Sequence, residues 1–177
     1  MQGVERYKVR LLPHDDAWDD EFHKVQTQIR HIWADSALNI QHIGSTAVKS
    51  ICAKPILDIA VVVPSLQEMD ITSMERAGYE YCGFQNTEQT RCLFVLRGTN
   101  EISLRHIHCY EPGDDNFRQC VLFRDYCNSH PEAAQAYDTL KQQLAQLYPD
   151  DRAAYTNGKA AFIQDICRKA EHTEAYT

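Results

Sequence analysis

The sequence contains one nearly continuous apolar run, from Pro55 to Val63, that is rich in isoleucine and valine. Such a run is typical of a central β-strand covered on both faces. A single acid, Asp58, interrupts it, and strand alternation places Asp58, Ala60 and Val62 on one face. Because an unpaired acid is costly to bury in so apolar a strand, the pattern predicts a partner for it, either a metal ion, a substrate hydrogen bond or Lys54.

A glycine-containing turn, Gly44-Ser45-Thr46, precedes this run and follows a strand pattern at Leu38 to Ile43. Glycine permits close approach of a ligand, free N–H groups at a helix start bind anions, and Ser45 and Thr46 add hydroxyl donors. The turn therefore predicts a phosphate site, to which His42 could add a contact. The alternatives are a simple capped turn, a structural role for Asp58 and a packed histidine at position 42.

Periodicity elsewhere predicts further strands followed by helices. Apolar residues after Pro13 recur at three- and four-residue spacing and predict an amphipathic helix. The Gly98-Thr99-Asn100 turn predicts an antiparallel hairpin. The other predicted elements are strands at Tyr7–Leu12, Tyr79–Gly83, Arg91–Leu96 and Glu101–Tyr110, and helices from Ser65 to about Ala77, from Asp114, from Pro131 and from near Asp150. The sheet and the helical C-terminal half are expected to share one core.

Length and composition restrict the class of protein. A chain of 177 residues fits one domain, residues 1–177, and 44% hydrophobic with 24% charged residues excludes a disordered or fibrous chain. No apolar run approaches the ~20 residues needed to cross a bilayer, so we expect a cytoplasmic protein without a membrane partner. The seven cysteines form no CxxC pair, which favours reduced thiols.

The charge balance restricts the kinds of molecule that the protein can bind. With 18 Lys and Arg against 25 Asp and Glu, the net charge of −7 disfavours extended nucleic-acid binding. A small phosphorylated ligand that arrives with its own metal ion is compatible with this charge. The sequence does not indicate an oligomeric state.

Basic residues in the C-terminal half are candidates for a phosphate contact. Tyr155, Lys159, Phe162 and Ile166 form one stripe at helical spacing, which places a lysine on a core-facing surface. This lysine either extends to solvent or reaches a ligand phosphate or Asp58. Two further candidates follow Phe123 on a helix: Arg124, suited to bidentate phosphate binding, and Asp125, which is not expected to pair with it. Solvated surface positions are the alternative for both. Arg91 and Arg105 are weaker candidates.

Taken together, the motifs resemble the GrpB family, which is assigned to the nucleotidyltransferase-like superfamily and also occurs fused to dephospho-coenzyme A kinase. The resemblance spans nearly the whole chain. It rests on HIGSTAV (His42 to Val48), KPILDI (Lys54 to Ile59), His106-Ile107-His108, FRDY (Phe123 to Tyr126) and YTNGKAAFI (Tyr155 to Ile163).

The resemblance implies an α+β fold, a nucleotidyltransferase-like mixed β-sheet flanked by helices, with Gly44-Ser45 holding a triphosphate and Asp58 binding a metal. Such enzymes hold divalent ions with two acids two residues apart and a third on a neighbouring strand. Here Ala60 occupies the second position. His106 and His108, two apart on a predicted strand, would replace the third acid and complete a set with Asp58.

The His-His-carboxylate set is the candidate metal and catalytic site. It suits Zn, Mn or Fe better than Mg alone, so the expected cofactor is a divalent metal, Mg or Mn with Zn as an alternative. Hydrogen-bonded histidines at a sheet edge are the other interpretation.

Three functions follow from these observations. One is a metal-dependent nucleotidyltransferase with Ser45, Lys54, Arg124 and Lys159 on phosphate and Tyr155 as an accessory group. Another is a non-catalytic module that binds a nucleotide or a phosphorylated metabolite, for which the resemblance to the kinase-fused domain implies a coenzyme A-linked ligand. The third is a metal-binding hydrolase that uses the two histidines and Asp58.

Overall fold

The computed structural model describes residues 1–5 and 7–174. The strands are β1 (Asn39–Ile43), β2 (Leu57–Val62), β3 (Tyr79–Phe84), β4 (Arg91–Arg97) and β5 (Ser103–Tyr110). The helices are α1 (Ala17–Trp33), α2 (Ile71–Arg76), α3 (Asp115–Ser129), α4 (Pro131–Leu147), α5 (Arg152–Gly158) and α6 (Ala160–Glu174). The strands form a mixed sheet in the order β1-β2-β5-β4-β3, in which β2 and β5 are parallel and the other neighbours are antiparallel.

One face of the sheet is buried under α1 and α2. The predicted apolar stripe of α1, from Trp18 to Trp33, is buried as expected. It packs on the odd-numbered residues of β2, Leu57, Ile59 and Val61, which are inaccessible to solvent. The prediction of an interior strand is confirmed, because β2 lies between β1 and β5 and this face of it is fully buried.

The other face of the sheet lies beneath the C-terminal helices. Ile43, Ala60 and Tyr110 form a buried cluster there, against Phe117 and Cys120 of α3. A separate core joins α3, α4 and α6 to the loop before β2. Asp58 and Ala60 share this face, as alternation predicts, and the candidate site lies on it.

The predicted strand at Tyr7–Leu12 is wrong. The described part of this segment makes single backbone contacts in different places: Val9 N donates to Pro149 O at 2.8 Å, and Leu12 pairs only with Ala53. Since no one strand runs beside it, a continuous ladder cannot form. Both residues instead tie the N-terminal segment to separate loops.

The predicted start of the second helix at Ser65 is also wrong. The helix begins at Ile71, because the carboxylate of Asp70 accepts the Ser73 N–H at 3.0 Å and caps it. The preceding segment contacts a different part of the chain, where Leu66 N donates to Glu111 Oε1 at 2.9 Å.

The predicted last helix is two helices, α5 and α6, with Lys159 between them. The break lies beside Gly158, which packs closely on α4: a β-carbon at position 158 would lie 2.5 Å from Leu144 Cδ2. Tyr155 and Phe162 therefore do not belong to one continuous helical stripe.

All seven cysteines are free thiols, and four of them are buried. Within the described residues, no helix combines the length and the apolar character that a bilayer-spanning segment requires.

Candidate functional site

A cavity of about 400 Å³ lies between the second face of the sheet and the C-terminal helices. This volume falls within the range of small-molecule sites. It brings together segments that are distant in sequence. The sequence-predicted site residues that line it are Gly44, Ser45, Thr46, Lys54, Asp58, His106, His108, Tyr155 and Lys159.

The floor of the cavity contains the predicted His-His-carboxylate cluster. The parallel pairing of β2 with β5 sets Asp58 beside His106 and Ala60 beside His108. Asp58 Oδ1 lies 2.9 Å from His106 Nδ1 and 3.6 Å from His108 Nε2. The sequence therefore predicted correctly that these three residues would converge.

The carboxylate of Asp58 is held in its charged form. Burial alone would raise its pKa, but the interactions with His106 and His108 outweigh burial and leave the pKa of Asp58 well below its usual value. Its side chain is still 31% exposed, toward the cavity. A permanently charged acid at this position can hold a cation or orient an imidazole.

Gly44 makes the close approach that the sequence predicted, but to Asp58 rather than to a ligand. Its φ of +71° and ψ of −169° are a combination that is essentially restricted to glycine. A β-carbon here would lie 2.7 Å from Asp58 Oδ2. The backbone of Gly44 therefore packs against Asp58 Oδ2, the carboxylate oxygen that does not face the histidines.

The turn after Gly44 is a single 3-10 turn, Ser45–Ala47. Ala47 N donates to Gly44 O at 3.2 Å and Val48 N donates to Ser45 O at 3.3 Å, so these two N–H groups close the turn. Ser45 Oγ lies 3.5 Å from the Tyr137 hydroxyl, and both hydroxyls border the cavity. The Ser45 hydroxyl is therefore placed to donate to a ligand.

Four basic side chains line the cavity and are called the basic wall: Arg91 comes from β4 of the sheet, and Lys54, Arg152 and Lys159 come from loops and helix ends. The Lys54 and Lys159 amines lie 5.1 Å and 4.5 Å from the ring centre of the buried Tyr155, and Arg91 and Arg152 line the same space. Among the described residues that line the cavity, Asp58 is the single carboxylate. The described part of the chain gives neither lysine an acid within ion-pair distance, so the wall carries an excess of positive charge.

Burial of the two lysines and the concentration of positive charge lower the pKa values of their amines. Burial, together with the charge of Arg152, lowers the pKa of Lys54 to about 8, although Asp58 opposes the shift. Burial, together with the charge of Lys54, lowers the pKa of Lys159 to about 7. An anion in the cavity would relieve this repulsion and restore full protonation of both amines.

His42 is a packed residue and does not line the cavity. Its Nδ1 lies 3.2 Å from Asp19 Oδ1, its Nε2 lies 3.0 Å from Thr46 Oγ1, and its ring stacks on Phe22. Burial lowers the pKa of His42, although Asp19 opposes the shift. Of the two interpretations of His42, the structure supports packing: it connects α1 to the turn and positions Thr46.

Arg124 does not reach the cavity, contrary to its prediction as a phosphate ligand. It donates to His42 O at 2.9 Å and to Gln41 Oε1 at 2.8 Å, which braces the edge strand β1. The expectation that it would not pair with Asp125 is wrong, because the long side chain of Arg124 bends toward its neighbour and its Nε donates to Asp125 Oδ1 at 2.7 Å.

Sequence reasoning missed one basic residue and undervalued another. Arg152 was not considered, although it lies three residues before Tyr155, a spacing that places both on one helix face. Arg91 seemed a weak candidate, yet its Nε is buried in the cavity wall without a hydrogen-bond partner among the described residues. Arg105 lies elsewhere, in an ion pair with Glu21.

The site does not fit the two-ion arrangement expected from the superfamily. The position of the second acid is occupied by Ala60, which is inaccessible to solvent and packed between Ile43 and Tyr110. In the described part of the chain, no acid replaces it in the cavity lining. A pair of Mg²⁺ ions held by two carboxylates is therefore not supported by these residues.

Comparison with solved structures defines the class of fold. A crystal structure of the Cid1 poly(U) polymerase with MgGTP bound superimposes with a TM-score of 0.50 at 10% identity, over 76% of this chain and 44% of that chain. A crystal structure of the conserved protein GrpB from Enterococcus faecalis superimposes with a TM-score of 0.84 at 32% identity, over 93% of this chain and 99% of that chain. The chain is a protein of nucleotidyltransferase-like α+β fold.

The particular family follows from the sequence matches. The family model described as GrpB protein matches residues 8–169. The glutamate-rich protein GrpB of Alkalihalophilus pseudofirmus is 34% identical, over 94% of this chain and 98% of that protein. The chain belongs to the GrpB family, as the motifs indicated.

A longer relative carries a similar segment. The dephospho-CoA kinase of Mycobacterium bovis is 27% identical over 96% of this chain, and the match covers 48% of that protein. This chain therefore corresponds to about half the length of that relative.

Proposed function

We propose that this protein binds a nucleotide or another phosphorylated small molecule in the cavity between the sheet and the C-terminal helices. The observation that carries the proposal is the basic wall, Lys54, Arg91, Arg152 and Lys159, beside which Asp58 is the one acid among the described residues that line the cavity. Lysine and arginine in such an enclosure suit phosphate, which accepts charge-assisted hydrogen bonds from several donors at once.

The rest of the lining suits an organic group attached to the phosphate. Apolar and aromatic side chains, among them Ile43, Phe123 and Ile163, share the cavity with the basic wall. A site of this kind holds a small molecule by apolar contact and orients it by a few polar groups. The MgGTP bound to the similarly folded Cid1 polymerase and the dephospho-CoA kinase relative make nucleotides and coenzyme A derivatives the first ligands to test.

The proposal is binding rather than nucleotidyl transfer. Transfer in this superfamily depends on charge neutralisation by two metal-binding acids, and the buried Ala60 leaves no room for the second. The phosphate contacts that we propose are those of this chain's own lysines and arginines.

Thermal-shift and calorimetric titrations with nucleoside mono-, di- and triphosphates, coenzyme A and inorganic phosphate test this function. The buffer contains a chelator, so that binding reports on the basic wall alone. We expect saturable binding of at least one organic phosphate, weakened in Lys54→Met and in Lys159→Met but not in Lys49→Met, an exposed lysine outside the cavity. Equal affinities in these variants, or no binding across the series, would contradict the proposal.

A further inference from the structure

The cluster on the floor of the cavity has the composition of a metal site. Asp58, His106 and His108 each offer one ligand atom, and the three atoms lie within 4.8 Å of one another. Two ligands of one Zn²⁺ ion lie at most about 4 Å apart, given bonds of about 2.0–2.2 Å. Small side-chain rotations therefore suffice to bring all three atoms onto one ion.

Hydrogen bonding within the protein does not complete this cluster. His106 makes a normal hydrogen bond to Asp58 at 2.9 Å, but the 3.6 Å between His108 Nε2 and the same carboxylate oxygen is too long for one. The other nitrogen of His108, Nδ1, is buried and lacks a partner among residues 1–5 and 7–174. Nε2 is the nitrogen of His108 that faces Asp58, so it is the atom available to a metal ion in the cluster, whereas Nδ1 points away from the cluster.

We propose that Asp58, His106 and His108 bind one transition-metal ion, of the Zn²⁺, Co²⁺ or Mn²⁺ class, on the cavity floor. Two imidazole nitrogens and one carboxylate oxygen suit such ions, whereas Mg²⁺ prefers oxygen ligands throughout. The site thus differs from the two-carboxylate arrangement that the fold implies, and the difference is built into the strands: β5 supplies two histidines and β2 supplies Ala60 in place of the second acid.

The surroundings of the cluster hold the ligands in place. Gly44 packs against Asp58 Oδ2, which keeps Oδ1 directed at the histidines. The three residues also line the cavity, so three protein ligands leave at least one coordination position facing it. The metal site rests on these three side chains alone and does not depend on whether the basic wall binds phosphate.

Titration of untagged, chelator-treated protein with Co²⁺ tests the proposal, because Co²⁺ bound by imidazole has a visible absorption spectrum unlike that of the aqueous ion. We expect one Co²⁺ ion per chain, displaced by Zn²⁺ but not by a large excess of Mg²⁺. His106→Gln and His108→Gln should each weaken Co²⁺ binding by more than the ~10- to 100-fold that loss of an outer-shell partner costs. The matched control is His31→Gln, an exposed histidine of α1.

Circular dichroism establishes that each variant is folded. His108→Gln is the decisive one, because in the described part of the chain the side chain of His108 makes only the long 3.6 Å contact with Asp58 and no normal hydrogen bond that the substitution could break. An aqueous-type Co²⁺ spectrum, equal Co²⁺ affinity in His108→Gln and His31→Gln, or displacement by Mg²⁺ as effective as by Zn²⁺ would overturn the proposal. Because the phosphate titrations are made with a chelator present, either proposal can fail while the other stands.

Discussion

Replacing Lys159 by methionine should make the unliganded protein more stable while it weakens phosphate binding. The amine of Lys159 lies in the cavity wall near Lys54, without an acid at ion-pair distance in the described residues, and its pKa falls from 10.5 to about 7. Methionine has a similar length and no charge. The substitution therefore removes a repulsive and poorly hydrated cation from the folded state.

The size of the effect follows from the pKa shift. A shift from 10.5 to about 7 is worth at most ~4–5 kcal/mol at ~1.4 kcal/mol per unit. Water in the open cavity screens much of this, and the contact with the Tyr155 ring, worth ~0.5–1 kcal/mol, is lost. We therefore expect Lys159→Met to raise the free energy of unfolding by ~1–2 kcal/mol at neutral pH.

The sign of the pH dependence is a second part of this prediction. Below the folded-state pKa of about 7, Lys159 is charged in both the folded and the unfolded chain, so its full destabilising effect is present. Between that pH and the ordinary value of 10.5, the folded state releases its proton first, and the destabilisation disappears. The stability gap between Lys159→Met and the unchanged protein should close over this interval.

Urea unfolding at several pH values measures the gap, and the calorimetric titrations described above measure ligand affinity for the same variant. Lys49→Met, which removes an exposed lysine, is the control for the loss of one positive charge. A variant that is less stable than the unchanged protein at neutral pH would refute the argument. A stability gap that does not change with pH would refute it as well.

For three other substitutions, the structure predicts the sign of the change in the free energy of unfolding. Lys141→Met should lower the free energy of unfolding by ~1–3 kcal/mol in urea titrations, because the lost ion pair with the buried Asp138 and the lost hydrogen bond to Cys52 O outweigh the relief of the burial that lowers the pKa of Lys141. Ala60→Asp should destabilise the fold by more than ~3 kcal/mol and gain no metal affinity, as calorimetry with Mg²⁺ can check, since it buries an acid among apolar groups. Gly44→Ala should cost at least ~1–3 kcal/mol in backbone strain and displace Asp58, seen as weaker Co²⁺ binding. An Ala60→Asp protein as stable as the unchanged one, or a Gly44→Ala protein with unchanged Co²⁺ affinity, would contradict these assignments.

Local patterns were sufficient to predict the five strands that form the sheet, and α1, but not the order of the strands. The apolar run at β2 and the hairpin between β4 and β5 are specified by alternation and by a turn, both of which act over a few residues. The errors in the helices occur at helix ends, where contacts with residues distant in sequence determine where a helix begins or breaks. The helix that was expected at Ser65 begins after Asp70, and the expected last helix is broken where Gly158 packs on Leu144 of α4.

The floor of the site was easier to predict than its wall. Asp58, His106 and His108 stand out because polar residues are rare in buried strands, and a parallel pairing of their strands brings them together. The wall combines Arg91 from β4 with Lys54, Arg152 and Lys159 from loops and helix ends. A basic residue at such a position has the same local sequence whether it faces a cavity or solvent, so periodicity could not separate Arg152 from Arg124.

Buried lysines occur in this chain both with an acidic partner and without one, and the difference supports the proposal that the basic wall binds an anion. The amine of Lys141 is also buried and its pKa is lowered to about 8, yet it lies 3.4 Å from Asp138 and donates to Cys52 O. This chain thus supplies an acid where a buried lysine serves the fold. Lys54 and Lys159 receive no such partner from residues 1–5 and 7–174 and face a cavity instead, an arrangement that weakens the unliganded protein. Lys141 already has a negatively charged partner, Asp138, and needs no ligand for its structural role. An anion that enters the cavity would be the negatively charged partner of Lys54 and Lys159.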